Sequence, residues 1–186
     1  VIRTNSIGSP YTPADAQGAG LYGYLSHALI TGNTFLQNEN LNDFDGQGGG
    51  IHSRESMMEV DQNVFTANRS VVGSAFYGTL STLRFTRNLF TSNSMYNTYP
   101  LPAYGGSQEG AIALWLVSDF LIEGNVVAGQ VADRGAGLSL QSCVAGQVLN
   151  NLIVDNRAQF ASPGGSGMGG GIDCMVNLNA TPLVIA

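Results

Sequence analysis

Six short stretches of one kind recur along the chain: GAGLYG from residue 18, GGGIHS from 48, GSAFYG from 73, EGAIAL from 109, GAGLSL from 135 and GGGIDC from 169. Counting from the apolar residue of the first five, Leu21, Ile51, Phe76, Ile112 and Leu138, an asparagine follows after 12 or 13 residues: Asn33, Asn63, Asn88, Asn125 and Asn151. Two residues beyond each asparagine stands a large apolar side chain, Phe35, Phe65, Phe90, Val127 and Ile153. Three later come Asn38, Asn68, Asn93, Gln130 and Asn156. The copy at Ile172 has no asparagine in the matching place. A unit this short cannot bury an apolar face by itself, so successive copies must stack and cover one another.

Between the anchors the pattern alternates as strands do, with Met58 and Val60 leading to Asn63, and Leu83 and Phe85 leading to Asn88; helical spacing is absent. Short strands separated by Gly and Asn bends, repeated about every 25 residues or more, predict an all-β parallel β-helix of about six coils. Coils about 4.8 Å apart align like residues in columns, so Phe35, Phe65 and Phe90 are expected to form an interior stack. The asparagine amides are expected to bond along the stack and to take left-handed backbone angles at the bends.

Composition agrees. Apolar residues make up 44% and charged ones 11%, with 25 glycines, which favours strands and turns over helices. Seven arginines and no lysine face thirteen acids, a net charge of −6, which excludes a nucleic-acid-binding face. The longest apolar run, around Ala111 to Val117, is far too short to span a bilayer. Cys143 and Cys174 rule out a disulfide-stapled scaffold and are expected to be two buried free thiols. No cofactor motif is present.

The length fits one domain over residues 1–186, and both ends fall inside the repeat. VIRTN places Ile2 in the phenylalanine column and Asn5 in the last asparagine column; Val184 lies where Ile172 calls for an asparagine, beside a proline that interrupts a ladder. The expectation is a segment of a longer solenoid, continued by the same chain or stacked end to end on another copy.

FLQN, FTAN and FTSN, with GGGI, EGAI and GAGL, resemble the GGAI and FxxN repeats of polymorphic outer-membrane proteins. More broadly they resemble the right-handed parallel β-helices of the pectin-lyase-like superfamily. The resemblance implies a right-handed coil and an extracellular or cell-surface setting; it carries no activity, because the shared motifs are structural. The signatures of the family's hydrolases, paired aspartates and Gly-His-Gly, are missing, and neither His27 nor His52 has such a neighbourhood.

All length variation is expected at one corner, in residues 6–20, 39–50, 94–111 and 157–171, with short connections at 69–75 and 131–137 leaving two notches. Tyr11, Tyr96, Tyr99 and Tyr104 lie in the long loops, and outward positions of the adjoining strand carry Tyr22, Tyr24, His52, Arg54, Tyr77 and Trp115. Aromatic platforms with a few polar tips suit a glycan or a protein partner. The best acidic group is Glu59 with Asp61, on one strand face, and Glu123 aligned beyond; Arg84 is expected to stack on Glu59 and hold it ionised. Asp43 and Asp45 form a weak calcium candidate without EF-hand spacing. Of two glycosylation sequons, Asn68 falls in a ladder and Asn179 is the accessible one.

The reading that follows is a non-enzymatic extracellular or cell-surface β-solenoid, an adhesin, passenger or filament-type protein, meeting its partner at the variable corner. The alternatives are a polysaccharide lyase, hydrolase or epimerase, and a trimeric tail fibre.

Overall fold

The computed structural model describes residues 1–7, 16–41, 46–95, 109–159, 168–175 and 183–186. Among these the chain winds into four parallel sheets of six strands, each strand pairing with its counterpart in the next coil. The first sheet holds the anchors: Leu21–Tyr24, Ile51–Arg54, Phe76–Thr79, Ile112–Trp115, Leu138–Gln141 and Ile172–Met175. The second comprises His27–Thr31, Met57–Asp61, Thr82–Thr86, Asp119–Glu123, Gly146–Leu149 and Leu183–Ile185. Three-residue strands such as Thr34–Leu36 and Val64–Thr66 make the third, and two-residue strands such as Glu39–Asn40 and Arg69–Ser70 the fourth. The long connections then lead back to the first sheet.

The register is the one the repeat predicts. Leu21, Ile51, Phe76, Ile112, Leu138 and Ile172 are successive partners in one column. Ile2, Phe35, Phe65, Phe90, Val127 and Ile153 form another. The Phe35, Phe65 and Phe90 rings stack with centroids 4.7 Å apart and planes within 4° and 7° of parallel. That spacing is the strand repeat itself, so the column gains aromatic contact without any departure from the ladder.

Elsewhere the core depends on matching large to small. Gly78 lacks the Cβ that would press on Leu83 and Leu114, and Gly146 leaves room for the Phe120 ring, which lies where a Cβ would sit, 2.1 Å from Cε1 and Cζ.

Both asparagine columns are continuous ladders. The backbone N–H of Asn63 donates to Asn88 Oδ1 at 2.9 Å, and its Nδ2 donates to Ile30 O at 2.7 Å; Asn88 repeats the arrangement with Asn125 Oδ1 and Val60 O. Gln130 fills the second column in place of an asparagine, its Oε1 accepting from the Asn93 N–H at 3.0 Å.

The asparagines do not take the left-handed conformation, contrary to expectation. The residue before each one does: Gln62 (φ 54°), Arg87 (55°) and Asn150 (54°) in one column, Gln37 (53°), Ala67 (53°) and Ser92 (54°) in the other. The ladder asparagine therefore braces a strained neighbour rather than relieving its own backbone. Gly48 (φ 68°) makes the turn ahead of Ile51, where a Cβ would meet the Ile51 carbonyl oxygen at 2.4 Å.

Three further corrections concern the thiols, the connections and the end of the chain. Both cysteines are free, but only Cys143 is buried; Cys174 is exposed, because no coil covers the last strand of the first sheet among the described residues. Burial pushes the Cys143 thiol up to about 11. Length also varies at a second corner: Asp119 pairs with Thr82, which itself pairs with Met57, although Asp119 lies one residue farther from its anchor than either of them. Leu183–Ile185 does not break the ladder but continues the second sheet, with Val184 opposite Gln147.

Candidate functional site

Strand alternation sends the second and fourth residues of each first-sheet strand to the outer face. They form two columns: Tyr22, His52, Tyr77, Ala113, Ser139 and Asp173; and Tyr24, Arg54, Thr79, Trp115, Gln141 and Met175. All six strand residues proposed from the sequence as ligand contacts share this face, but they divide into two kinds. Tyr22, Tyr24, Arg54 and Trp115 are open to solvent; His52 and Tyr77 are buried. The outward direction was right for His52 and Tyr77, but their exposure was not.

His52 lies between the Tyr22 and Tyr77 rings, at centroid distances of 5.2 and 5.0 Å, and neither of its ring nitrogens has a hydrogen-bond partner. Burial, with a smaller contribution from the nearby Arg54 charge, lowers its pKa to about 4, so it is neutral at pH 7. Arg54 sits 5.7 Å from the Tyr24 ring centroid and pairs with Glu55 at 3.2 Å. At the C-terminal end of the face Arg134 grips Asp173 at 2.9 Å, and Gln141 Nε2 donates to the same carboxylate at 3.0 Å. That cluster is internally satisfied and holds the edge of the sheet in shape.

The acidic candidates lie on the outer face of the second sheet. Asp61, Thr86 and Glu123 are in one column, as the sequence implied. Asp61 is fully engaged: Thr86 Oγ1 donates to it at 2.7 Å, and Arg87 donates from Nε at 3.0 Å and Nη2 at 2.7 Å. The Thr86 hydrogen bond, reinforced by Arg87, holds the Asp61 carboxyl below its usual range, the opposite of what a general acid requires. Glu59 stands opposite Arg84 in the register, but Arg84 forms its ion pair with Asp119, at 3.9 Å. A depression of about 300 Å³ next to that pair is lined by Leu121, Gln147 and Val184 and gathers no second carboxylate beside Asp119.

Tyr11, Tyr96, Tyr99 and Tyr104, the calcium candidates Asp43 and Asp45, and Asn179 lie outside the described residues. Asn68 is fully buried, its Nδ2 donating to Phe35 O at 2.9 Å, which closes that sequon to modification. Among the described residues no group of His, Cys, Asp and Glu could hold a metal ion, and no helix is long and apolar enough to cross a membrane.

One structural column escaped the sequence reading. Ser26, Ser56 and Ser81 form a hydroxyl ladder at the bend between the first two sheets, with Ser26 N–H donating to Ser56 Oγ and Ser56 N–H to Ser81 Oγ, both at 3.1 Å. Each serine stands five residues after its anchor, a period present in the sequence. Cys143 occupies the same place in a later coil, its Sγ 3.6 Å from the Leu114 and Gln141 carbonyls.

Parallel coils with inward columns, internal amide ladders and left-handed corner residues agree with comparison to known families: the family model described as right handed beta helix region matches residues 16–182. The chain belongs to the right-handed β-helix family. Comparison with curated proteins and with solved structures returned no match. Membership in this β-helix family accounts for the coil and its columns; the outer face is where members can differ, because nothing in the stacking constrains it.

Proposed function

We propose that this β-helix is a non-enzymatic binding solenoid of an extracellular or cell-surface protein, meeting a protein or glycan partner through the outer face of the first sheet and the long connections beside it. The observation that carries this reading is the exposed row of Tyr24, Arg54 and Trp115, displayed by a backbone that stacking makes rigid. Aromatic side chains held in this way lose little freedom on binding, which suits them to recognition. The likeness of FTAN and GGGI to polymorphic outer-membrane repeats supports a cell-surface setting.

The catalytic alternative is weaker. Asp61 is tied to Arg87 and Thr86, and His52 is buried with both neighbours aromatic. Trp115 is the one tryptophan in the chain, so its fluorescence reports on this face directly. Titration with a panel of acidic and neutral glycans and candidate surface proteins is expected to shift its emission, with no turnover of any polysaccharide. Turnover of an acidic polysaccharide that disappears on replacing Glu59, Asp61 or Glu123 would defeat the proposal.

A further inference from the structure

The three bends that carry a left-handed residue in nearly every coil allow an internal comparison. Between the second and third sheets the residue is Gly32, Gln62, Arg87, Gly124 or Asn150; between the third and fourth it is Thr4, Gln37, Ala67, Ser92, Gly129 or Asp155. Ten of these eleven are glycine or polar, as the conformation and solvent exposure both favour. Between the first and second sheets the same position holds Leu25, Glu55, Leu80, Leu116 and Ser142. Leucine is disfavoured there twice over, by its backbone and by water: Leu25 is 67%, Leu80 51% and Leu116 38% exposed. The stacking requires no leucine at this bend, since Glu55 and Ser142 take the same φ.

The residue before each corner leucine belongs to the exposed row already described. Read coil by coil, the strip is Tyr24-Leu25, Arg54-Glu55, Thr79-Leu80 and Trp115-Leu116. An aromatic-leucine pair stands at either end, and Tyr24 and Trp115 are 49% and 47% exposed. The two ends lie three coil spacings apart, about 14 Å.

We propose that this strip is the contact between two copies of the chain, packed side by side with their axes antiparallel about a two-fold. The inference rests on reading this face as a binding surface and names what it binds. A two-fold interface places a patch against itself, so its pattern must make sense in both directions. With the axis between the second and third coils, Tyr24-Leu25 of each copy meets Trp115-Leu116 of the other. Arg54, which leans toward Tyr24, falls opposite Thr79, the low and buried place in the strip.

Charge at the strip permits the same occupant. Each chain carries a net charge of −6, yet the only charges in the strip are Arg54 and Glu55, already paired at 3.2 Å, so two copies meet at a locally neutral strip. A glycan gains neither a stacking plane nor a hydrogen bond from a leucine. An anionic membrane gains nothing from a strip without net positive charge.

The test uses sedimentation of the 186-residue chain over a wide concentration range, with Trp115 emission recorded in parallel. The weight-average mass is expected to rise from one chain to two, with a blue shift of Trp115 over the same range. Replacing Leu25, Leu80 and Leu116 together by asparagine, which accepts the left-handed conformation, is expected to raise the dissociation constant at least about a thousandfold, since each of the three buried leucines is worth roughly a tenfold change or more. At concentrations where both proteins are single chains, the variant's melting temperature should stay the same or rise. A single-chain mass at every concentration, association that continues beyond two chains, or a dimer that survives the triple replacement would each overturn the proposal. If the chain stays single while Trp115 still answers to another protein or a glycan, the binding face stands and only its occupant is wrong.

Discussion

The amide ladder makes a quantitative prediction with its own control. Replacing Asn88 by alanine removes an acceptor from the Asn63 backbone N–H and a donor from the Val60 carbonyl, bonded at 2.9 and 2.7 Å in the buried interior. Each stripped group costs about 1–3 kcal/mol. Asn63 Nδ2 keeps its bonds to Ile30 O and Asp61 O, and the residue 88 N–H keeps Asn125 Oδ1, so those add little. The expected loss is about 4 kcal/mol. Asn33→Ala is the control: Asn33 heads the same column, its Nδ2 donates to the exposed Thr31 carbonyl, and its own N–H bond to Asn63 Oδ1 survives replacement. Its loss should stay below about 1 kcal/mol. Urea unfolding followed by circular dichroism separates the two, with midpoints expected on the order of 1 M apart at unchanged slope. Equal losses at the two sites would show that cross-coil amide bonds are not what the column contributes.

Phe65→Ala removes the middle ring of the stack from a fully buried site and is expected to cost about 3–5 kcal/mol, read from the same unfolding curves. Gly146→Ala should cost about 1–3 kcal/mol by driving a methyl into Phe120, and a smaller residue in place of Phe120 should recover much of that in a double-mutant cycle. His52 makes stability depend on pH: the unfolded chain takes up a proton below about 6.5 and the folded chain only near 4, so stability falls as pH drops through that window and is flat above it. The loss should reach about 3 kcal/mol at pH 4, and His52→Phe, which keeps a ring between the tyrosines, should abolish that part of the slope.

A residue such as Phe65 was legible because its role repeats: in five successive copies a large apolar residue lies two after a ladder asparagine, and a stacked solenoid turns equal spacing into vertical alignment. The same rule reached Ile2 and Asn5 at the start of the chain, which fall in their expected columns. The Ser26, Ser56 and Ser81 ladder was equally periodic, and was missed only because serine at a bend also has a purely local use.

What the sequence by itself determined is the coil, its register and the identity of its inward columns, since all three follow from periodicity. Only the tertiary structure decided which outward side chains water reaches and which charges find each other. His52 and Tyr77 point outward as alternation requires and are covered nonetheless, and Arg87 passes over its own column to grip Asp61 in the coil before. Alternation states the side of a sheet on which a residue stands. What lies over that side depends on the paths of connections and side chains between coils, which no repeat encodes.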